Sequence, residues 1–265
     1  WEEAVGSALG LEMMVNRGKR PSDKKTMVVL FSWPSNGSMM PYAAYKSDRS
    51  DARDSGQAIA RAILKLRDFL GKVSNSAADK SMQPCNQQMH LLCHSMGNYV
   101  LQNALKKIKG YSGGRMSRLF QNIFLCSPDV DDDVLEKNEP MADVNELCTS
   151  LTVYYNQGDA ALKLSDFTKG NPPRLGNTGL AHPQLVHNKI QQVDCSRIVK
   201  GMVEHSYYMW ATVNEDIALT LDDVAFDDAQ RQPFGLNPGQ GGLMFQPPKG
   251  RKKICISFAK QGVGI

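Results

Sequence analysis

Short apolar runs alternate along this chain with longer segments in which apolar residues recur every three or four positions. Residues 26–31 (TMVVLF), 89–93 (MHLLC), 119–126 (LFQNIFLC) and 151–156 (LTVYYN) have strand length and are largely apolar on both faces, the pattern of strands buried inside a sheet. Between them the spacing is helical. Residues 1–17 put Ala8, Leu11, Met14 and Val15 on one side and run into Gly18. A longer helix is expected from Ser50 or Asp51, both good N-caps, to Leu70, with Ile59, Ile63 and Leu66 in its stripe and Gly71 as its stop. A third opens at Gly97 and carries Leu101, Ala104, Leu105 and Ile108 on one face. Lys106, Lys107 and Lys109 fall in its last turn and Gly110 stands as the closing residue. Residues 19–25 read as a basic turn and 72–87 as polar loop. Strands alternating with amphipathic helices imply crossover connections, hence an α/β fold with a mostly parallel sheet and helices on both faces. The rhythm fades after residue 210, and 233–250, rich in Gly, Pro and Gln, reads as loop or tail. The expected organisation is a main domain over 1–210 and a partly irregular C-terminal extension over 211–265.

Composition narrows the function classes. A hydrophobic content of 42% over 265 residues is ample for a core. The net charge of +4 is mild and, apart from a short basic run at 249–253 that reads as a solvated turn, the cations are scattered, so no nucleic-acid partner is expected. No stretch approaches the ~18 apolar residues a membrane-spanning helix needs. The six cysteines, at 85, 93, 126, 148, 195 and 255, include no C-x-x-C pair, and Cys93 and Cys126 fall in apolar runs as small buried hydrophobes. That usage suits a reduced compartment, so the expected localisation is cytoplasmic. No P-loop, G-x-G-x-x-G or H-E-x-x-H occurs, and no cofactor is expected. The acidic run DVDDD at 129–133 lacks the glycine and the distant glutamate of a calcium loop, so it reads as a solvated acidic loop and no metal site is expected.

The chemistry concentrates at CHSMG, residues 93–97, between the run ending at Cys93 and the helix opening at Gly97. A serine on a sharp strand-to-helix turn is the nucleophile elbow of the α/β-hydrolases. Its hydroxyl stands clear at the strand end, and small residues two before and two after let the helix start close to the strand. Gly97 meets the second requirement, while Cys93 stands where glycine is usual. The amide of Met96, at a helix N-terminus, is the evident oxyanion donor. A serine nucleophile also needs a histidine base and an acid that holds the base's tautomer. Asp129 and Asp159 both follow strand-like runs. His182, His187 and His205 lie downstream in the order Ser, acid, His, whereas His90 and His94 are placed too close to Ser95 to serve as its base. Trp33 and Ser35, in the loop after the first run, are candidate pocket residues or part of a structural turn, and His94 is a further pocket candidate. Arg174 is open between binding an acidic substrate group and capping a loop.

Six blocks then occur in order: FSWPSNG (31–37), CHSMGNYVLQNAL (93–105), NIFLCSPDVDDD (122–133), VYYNQGDAAL (153–162), PRLG (173–176) and VEHSYY (203–208). Together they resemble a family of bacterial α/β-hydrolases, esterase- and lipase-like proteins of unknown function, over about residues 1–210. The resemblance implies Ser95 as nucleophile, Asp159 as acid, with Asp129 as the alternative, and His205 as base. It implies an ester-type small-molecule substrate. Members of the family carry, upstream of the first helix, a strand ending in His-Gly that supplies a second oxyanion donor. The chain opens on Trp1, inside that helix, so the resemblance implies an N-terminally truncated hydrolase lacking its first strands, with a gap or a foreign pairing in the sheet beside Ser95. A catalytically inactive hydrolase-fold binding or scaffold protein is the competing class. The ordered Ser, Asp and His argue against it.

Overall fold

A computed structural model describes residues 2–35, 42–79, 87–113, 116–167, 172–199, 204–231, 236–237 and 242–244. The first helix, α1 (Glu2–Val15), is followed by the long α2 (Tyr42–Asp79). Next come β1 (His90–His94), α3 (Gly97–Tyr111), β2 (Phe120–Cys126) and β3 (Cys148–Tyr155). After two short helices, α4 (Ala160–Phe167) and α5 (Leu175–Thr178), the chain forms β4 (Ile190–Asp194), α6 (Ala211–Leu221) and the short strands β5 (Leu236–Asn237) and β6 (Gly242–Met244). The sheet order is β1-β2-β3-β4-β6-β5. From β1 to β6 every pairing is parallel, and only β5 runs antiparallel, against β6.

Helices cover both faces, and the pleat decides which side chains meet them. Ile123 and Leu125 of β2 and Leu151 and Val153 of β3 join Ala60 and Ile63 of α2 and Leu101, Leu105 and Ile108 of α3 in one cluster. Phe124, Cys126, Tyr154 and Val193 point the other way and meet Val15 of α1 and Val213 and Ile217 of α6. Burial on both faces is why β2 and β3 read as continuous apolar runs. On the face that α1 and α6 cover, Arg231 donates to both oxygens of Asp216, at 2.8 and 3.1 Å, and Tyr154 Oη donates to the same carboxylate at 2.6 Å.

Several sequence expectations need correction. Residues 26–31 form no strand. Thr26 N–H donates to Asn16 Oδ1 at 2.8 Å and Val28 N–H to Glu12 Oε2 at 2.7 Å, so side chains of and just after α1 take amides that a ladder would have used. Among the described residues β1 pairs with β2 alone, and the side of β1 facing away from β2 carries no strand. Helix α2 begins well before Ser50 and Asp51 and passes through Gly71, so those residues are neither cap nor stop. Packing against α3 overrides the local signals: a Cβ on Gly56 would fall 2.7 Å from Asn103 Cβ, so close approach uses a glycine where the pattern showed none. Helix α3 likewise runs past Gly110 and is capped at Ser112. Strand β4 was not anticipated, because Gln191 and Gln192 interrupt its apolar run, although Gln192 is buried and its Oε1 accepts the amide of Leu180 at 2.9 Å. Within 233–250, β5 and β6 are strand rather than loop. The basic run at 249–253 and Cys85 and Cys255 lie outside the described residues. No helix among the described residues is long and apolar enough to cross a membrane.

Candidate active site

The carboxyl ends of β1, β2 and β3 deliver Ser95, Ser127 with Asp129, and Asp159 to one edge of the sheet, where parallel sheets bind ligands. Ser95 sits between β1 and α3 with φ +53°, a left-handed conformation that is rare for a residue with a side chain. Several bonds hold it there. Its amide donates to Cys126 O at 3.0 Å, and its carbonyl accepts from Asp129 N at 3.3 Å. The fully buried Asn98 donates through Nδ2 to the carbonyls of Ser95, at 2.9 Å, and Cys93, at 3.2 Å. Cys93 is buried, and burial pushes its thiol up to about 12, so it packs as a hydrophobe. A Cβ on Gly97 would meet only the Trp33 ring, at 3.5 Å, an ordinary contact, so close approach does not enforce glycine at that position. The amides of Met96 and Gly97 open α3 with no preceding turn to donate into, which leaves this terminus suited to developing negative charge.

His205 reaches this serine from 110 residues away. Its Nε2 lies 2.6 Å from Ser95 Oγ and its Nδ1 2.7 Å from Asp159 Oδ2. With a carboxylate at Nδ1 the proton belongs there, leaving Nε2 as the acceptor for the serine hydroxyl. Asp159 is fully buried, yet its charge is accommodated: Oδ1 accepts the amides of Ala161 and Leu162, in the first turn of α4, at 3.1 and 3.2 Å. A helix N-terminus and an imidazole N–H together satisfy the carboxylate.

The other predicted residues go elsewhere. Asp129 is buried and accepts from Tyr45 Oη at 2.6 Å, with Arg174 Nε 3.4 Å from its other oxygen. Arg49, stacked 3.7 Å over the Tyr99 ring, lies 3.9 Å from it. Arg174 is itself buried and also pairs with Asp131, so it ties the 129–133 segment to α5 rather than facing solvent. That segment is therefore not the solvated loop its composition suggests: Asp129 and Val130 are buried and Asp132 accepts from Thr178 Oγ1 at 3.3 Å. His182 meets Glu136 at 2.8 Å, His187 accepts the amide of Lys189 at 3.1 Å, and His90 meets Asn122 at 3.1 Å. Trp33 lies against the start of α3, and its Nε1 is buried without a partner, while Ser35 is exposed. His94 is packed behind the base, its ring centroid 4.9 Å from that of His205. Among the described residues no group of three or more His, Cys, Asp or Glu side chains is arranged to hold a metal ion.

Two site residues escaped the sequence reading, Asn98 and Ser127. Asn98 stands in the HSMGN block, three after the serine, and that adjacency is the signal that could have found it. Ser127 has φ +46°, and its Oγ donates to the carbonyl of His205 at 2.6 Å, a contact spanning 78 residues that no local pattern announces.

No match was found among curated proteins or among solved structures. A family model described as alpha/beta hydrolase of unknown function (DUF900) matches residues 11–219, most of the described sheet together with Ser95, Asp159 and His205. The parallel sheet, the helices on its two faces and that match together place this chain in the DUF900 family of alpha/beta hydrolases of unknown function.

Proposed function

We propose that this chain is a serine hydrolase that cleaves an acyl ester or a related carbonyl bond of a small molecule through an acyl-enzyme on Ser95. One observation carries the reading: an unbroken relay from buried carboxylate to imidazole to hydroxyl, 2.7 Å at the first link and 2.6 Å at the second, ending on a serine held at positive φ. A surface histidine that merely packs has no need of a buried carboxylate behind it and a hydroxyl before it.

In this reading Ser95 Oγ attacks the substrate carbonyl carbon while His205 Nε2 takes the hydroxyl proton. Asp159 stays ionised and stabilises the imidazolium through Nδ1–H. The carbonyl oxygen becomes an oxyanion, met by the amide of Met96 at the N-terminus of α3. The intermediate collapses, the leaving alkoxide takes the proton from His205, and the acyl group stays on Ser95. A water then gives its proton to His205 and attacks the acyl carbon, and Ser95 leaves with that proton restored. Of the pocket candidates, Trp33 lies beside the elbow against α3, whereas His94 is packed behind the base.

A fluorophosphonate probe followed by peptide mapping tests the reaction. The adduct is expected on Ser95 and absent from Ser95→Ala. Equal labelling of the two proteins would sink the reading.

A further inference from the structure

The proposed base is the part of the site with the least secondary structure behind it. Residues 204–206 belong to no helix or strand, yet the relay needs the imidazole placed within about 0.5 Å. Its own backbone carbonyl is where it is held. Ser127 Oγ donates to His205 O at 2.6 Å, and His94 Nε2 lies 3.1 Å from the same oxygen. Because a carbonyl only accepts, His94 carries its proton on Nε2. The two donors come from the carboxyl ends of adjacent strands: register pairs His94 of β1 with Cys126 of β2, and Ser127 follows directly.

Neither donor has room to wander. Ser127 is fully buried, its amide donates to Tyr154 O at 3.1 Å, and Gly176 presses on its backbone so closely that a Cβ there would fall 2.5 Å from the Ser127 carbonyl carbon. Its φ of +46° is a conformation serine adopts at a cost, and it aims the hydroxyl at His205 rather than back along β2. The His94 ring is wedged between those of His205 and Tyr208, at centroid distances of 4.9 and 4.8 Å. Burial, with the neighbouring His205 adding to it, pushes His94 down to about 3. It therefore stays neutral, keeps one ring proton for the carbonyl, and puts no second positive charge beside a base that must become cationic.

We propose that Ser127 and His94 are positioning residues for His205, clamping its backbone carbonyl from two adjacent strands and so fixing the 2.6 Å approach of the imidazole to Ser95 Oγ. The proposal rests on the serine-hydrolase reading above. Neither residue touches the substrate or the reacting atoms in this role, and no bond forms or breaks at the clamp. The signature of such a role is a fall in kcat with little change in KM, since the imidazole moves while the substrate site does not.

The test uses the full chain in four forms: wild type, Ser127→Ala, His94→Leu and His94→Gln, the last keeping an N–H near the place of Nε2. The rate of fluorophosphonate labelling and the turnover of p-nitrophenyl acetate are read beside the melt and the downfield proton resonance of the His205–Asp159 bond. Ser127→Ala and His94→Leu are expected to lose about 10- to 100-fold in labelling rate and kcat, with KM within about twofold, because sub-ångström misplacement of a catalytic group costs on that scale. Their downfield resonance is expected to broaden, and His94→Gln to recover most of the rate. Lowered melts with wild-type kcat and an unchanged resonance would make both residues structural only and overturn the proposal. If Ser127→Ala does not fold, Ser127→Cys, a weaker donor, decides: wild-type kcat there overturns the role of Ser127. Wild type that labels no faster than Ser95→Ala sinks the hydrolase reading and the clamp with it. Labelling confined to Ser95, with full rates in Ser127→Ala and His94→Leu, sinks the clamp alone.

Discussion

Before and after the Ser95 elbow in the chain, apolar runs of similar length sit in opposite situations. Phe120–Cys126 pairs with β1 on one side and β3 on the other, and its side chains alternate between the two core clusters. Residues 26–31 are as apolar but join no ladder, and Met27 and Val29 remain 77% and 84% exposed. An apolar run permits a strand, but acceptors for its amides make one, because a backbone N–H withdrawn from water without a partner costs about 1–3 kcal/mol. At Ser95 the question is again which partners the backbone groups find. Among the described residues strand β1 has a neighbour on one side only, and the elbow at its end is held by other means: Asn98 on two carbonyls, Asp129 N on the Ser95 carbonyl, and the Cys126 carbonyl on the Ser95 amide.

The largest effect is expected from the two aspartates that follow β2 and β3. Asp159→Asn should cost about 10⁴ in kcat with little loss of binding, because the amide no longer enforces the Nδ1–H tautomer. Asp129→Asn should do the reverse. It leaves the buried Arg174 with Asp131 and a weakened partner, a loss that approaches the ~3–5 kcal/mol of a broken buried pair, while kcat of the folded protein stays near wild type. Steady-state kinetics set beside urea denaturation check both, and an active Asp159→Asn with an inactive, folded Asp129→Asn would exchange the two roles.

Next comes the paired side of the comparison. Ile123→Ala removes a fully buried side chain from the centre of β2 and should cost about 2–5 kcal/mol by urea denaturation. A loss below about 1 kcal/mol would mean that β2 is not the packed centre of the sheet.

The elements legible in the sequence were those whose own side chains report their surroundings. Phe120–Cys126 and Cys148–Tyr155 are apolar because both faces are covered, and α3 shows its stripe because one face is. The elements that escaped depend on something distant. Residues 26–31 look like a strand until the missing ladder is seen, and α2 looks as if it starts at Ser50 or Asp51 although it starts at Tyr42. Ile190–Asp194 is a strand despite two glutamines because β3 and β6 flank it. At the site, Ser95 announces itself locally, and Asp159 and His205 stood out through their ordered blocks. Ser127 and His94 could not be read as partners of the His205 carbonyl, since that oxygen is brought to them only by the chain's return after β4.

A smaller effect links the elbow to pH. His94 is held down to about 3 in the fold against an ordinary 6.5, mainly by burial. Below pH 6.5 the unfolded chain therefore takes up a proton that the folded chain refuses until about pH 3, and stability falls across that window as pH falls. At pH 5 the cost is about 2 kcal/mol. His90, also lowered by burial, adds in the same direction, so the informative comparison is wild type with His94→Gln at matched pH. The variant should lose less stability between pH 6.5 and 5, and parallel curves would contradict a neutral His94 imidazole in the fold.

The smallest effect belongs to residues 26–31. Val29→Ser should change stability by no more than about 0.5 kcal/mol, as expected for a side chain already 84% exposed. A loss comparable to Ile123→Ala would mean that residues 26–31 are packed in solution and do not differ from β2.

The central claim, that the relay from Asp159 through His205 makes Ser95 a nucleophile, is tested most directly by trapping the covalent intermediate. The protein is mixed rapidly with p-nitrophenyl acetate, quenched in acid, and read by intact mass and peptide mapping. The account predicts one acetyl group per chain, on the peptide carrying Ser95, formed in wild type and in neither Ser95→Ala nor His205→Ala. Turnover without an acetyl group on Ser95, or the same adduct in His205→Ala at the wild-type rate, would contradict it.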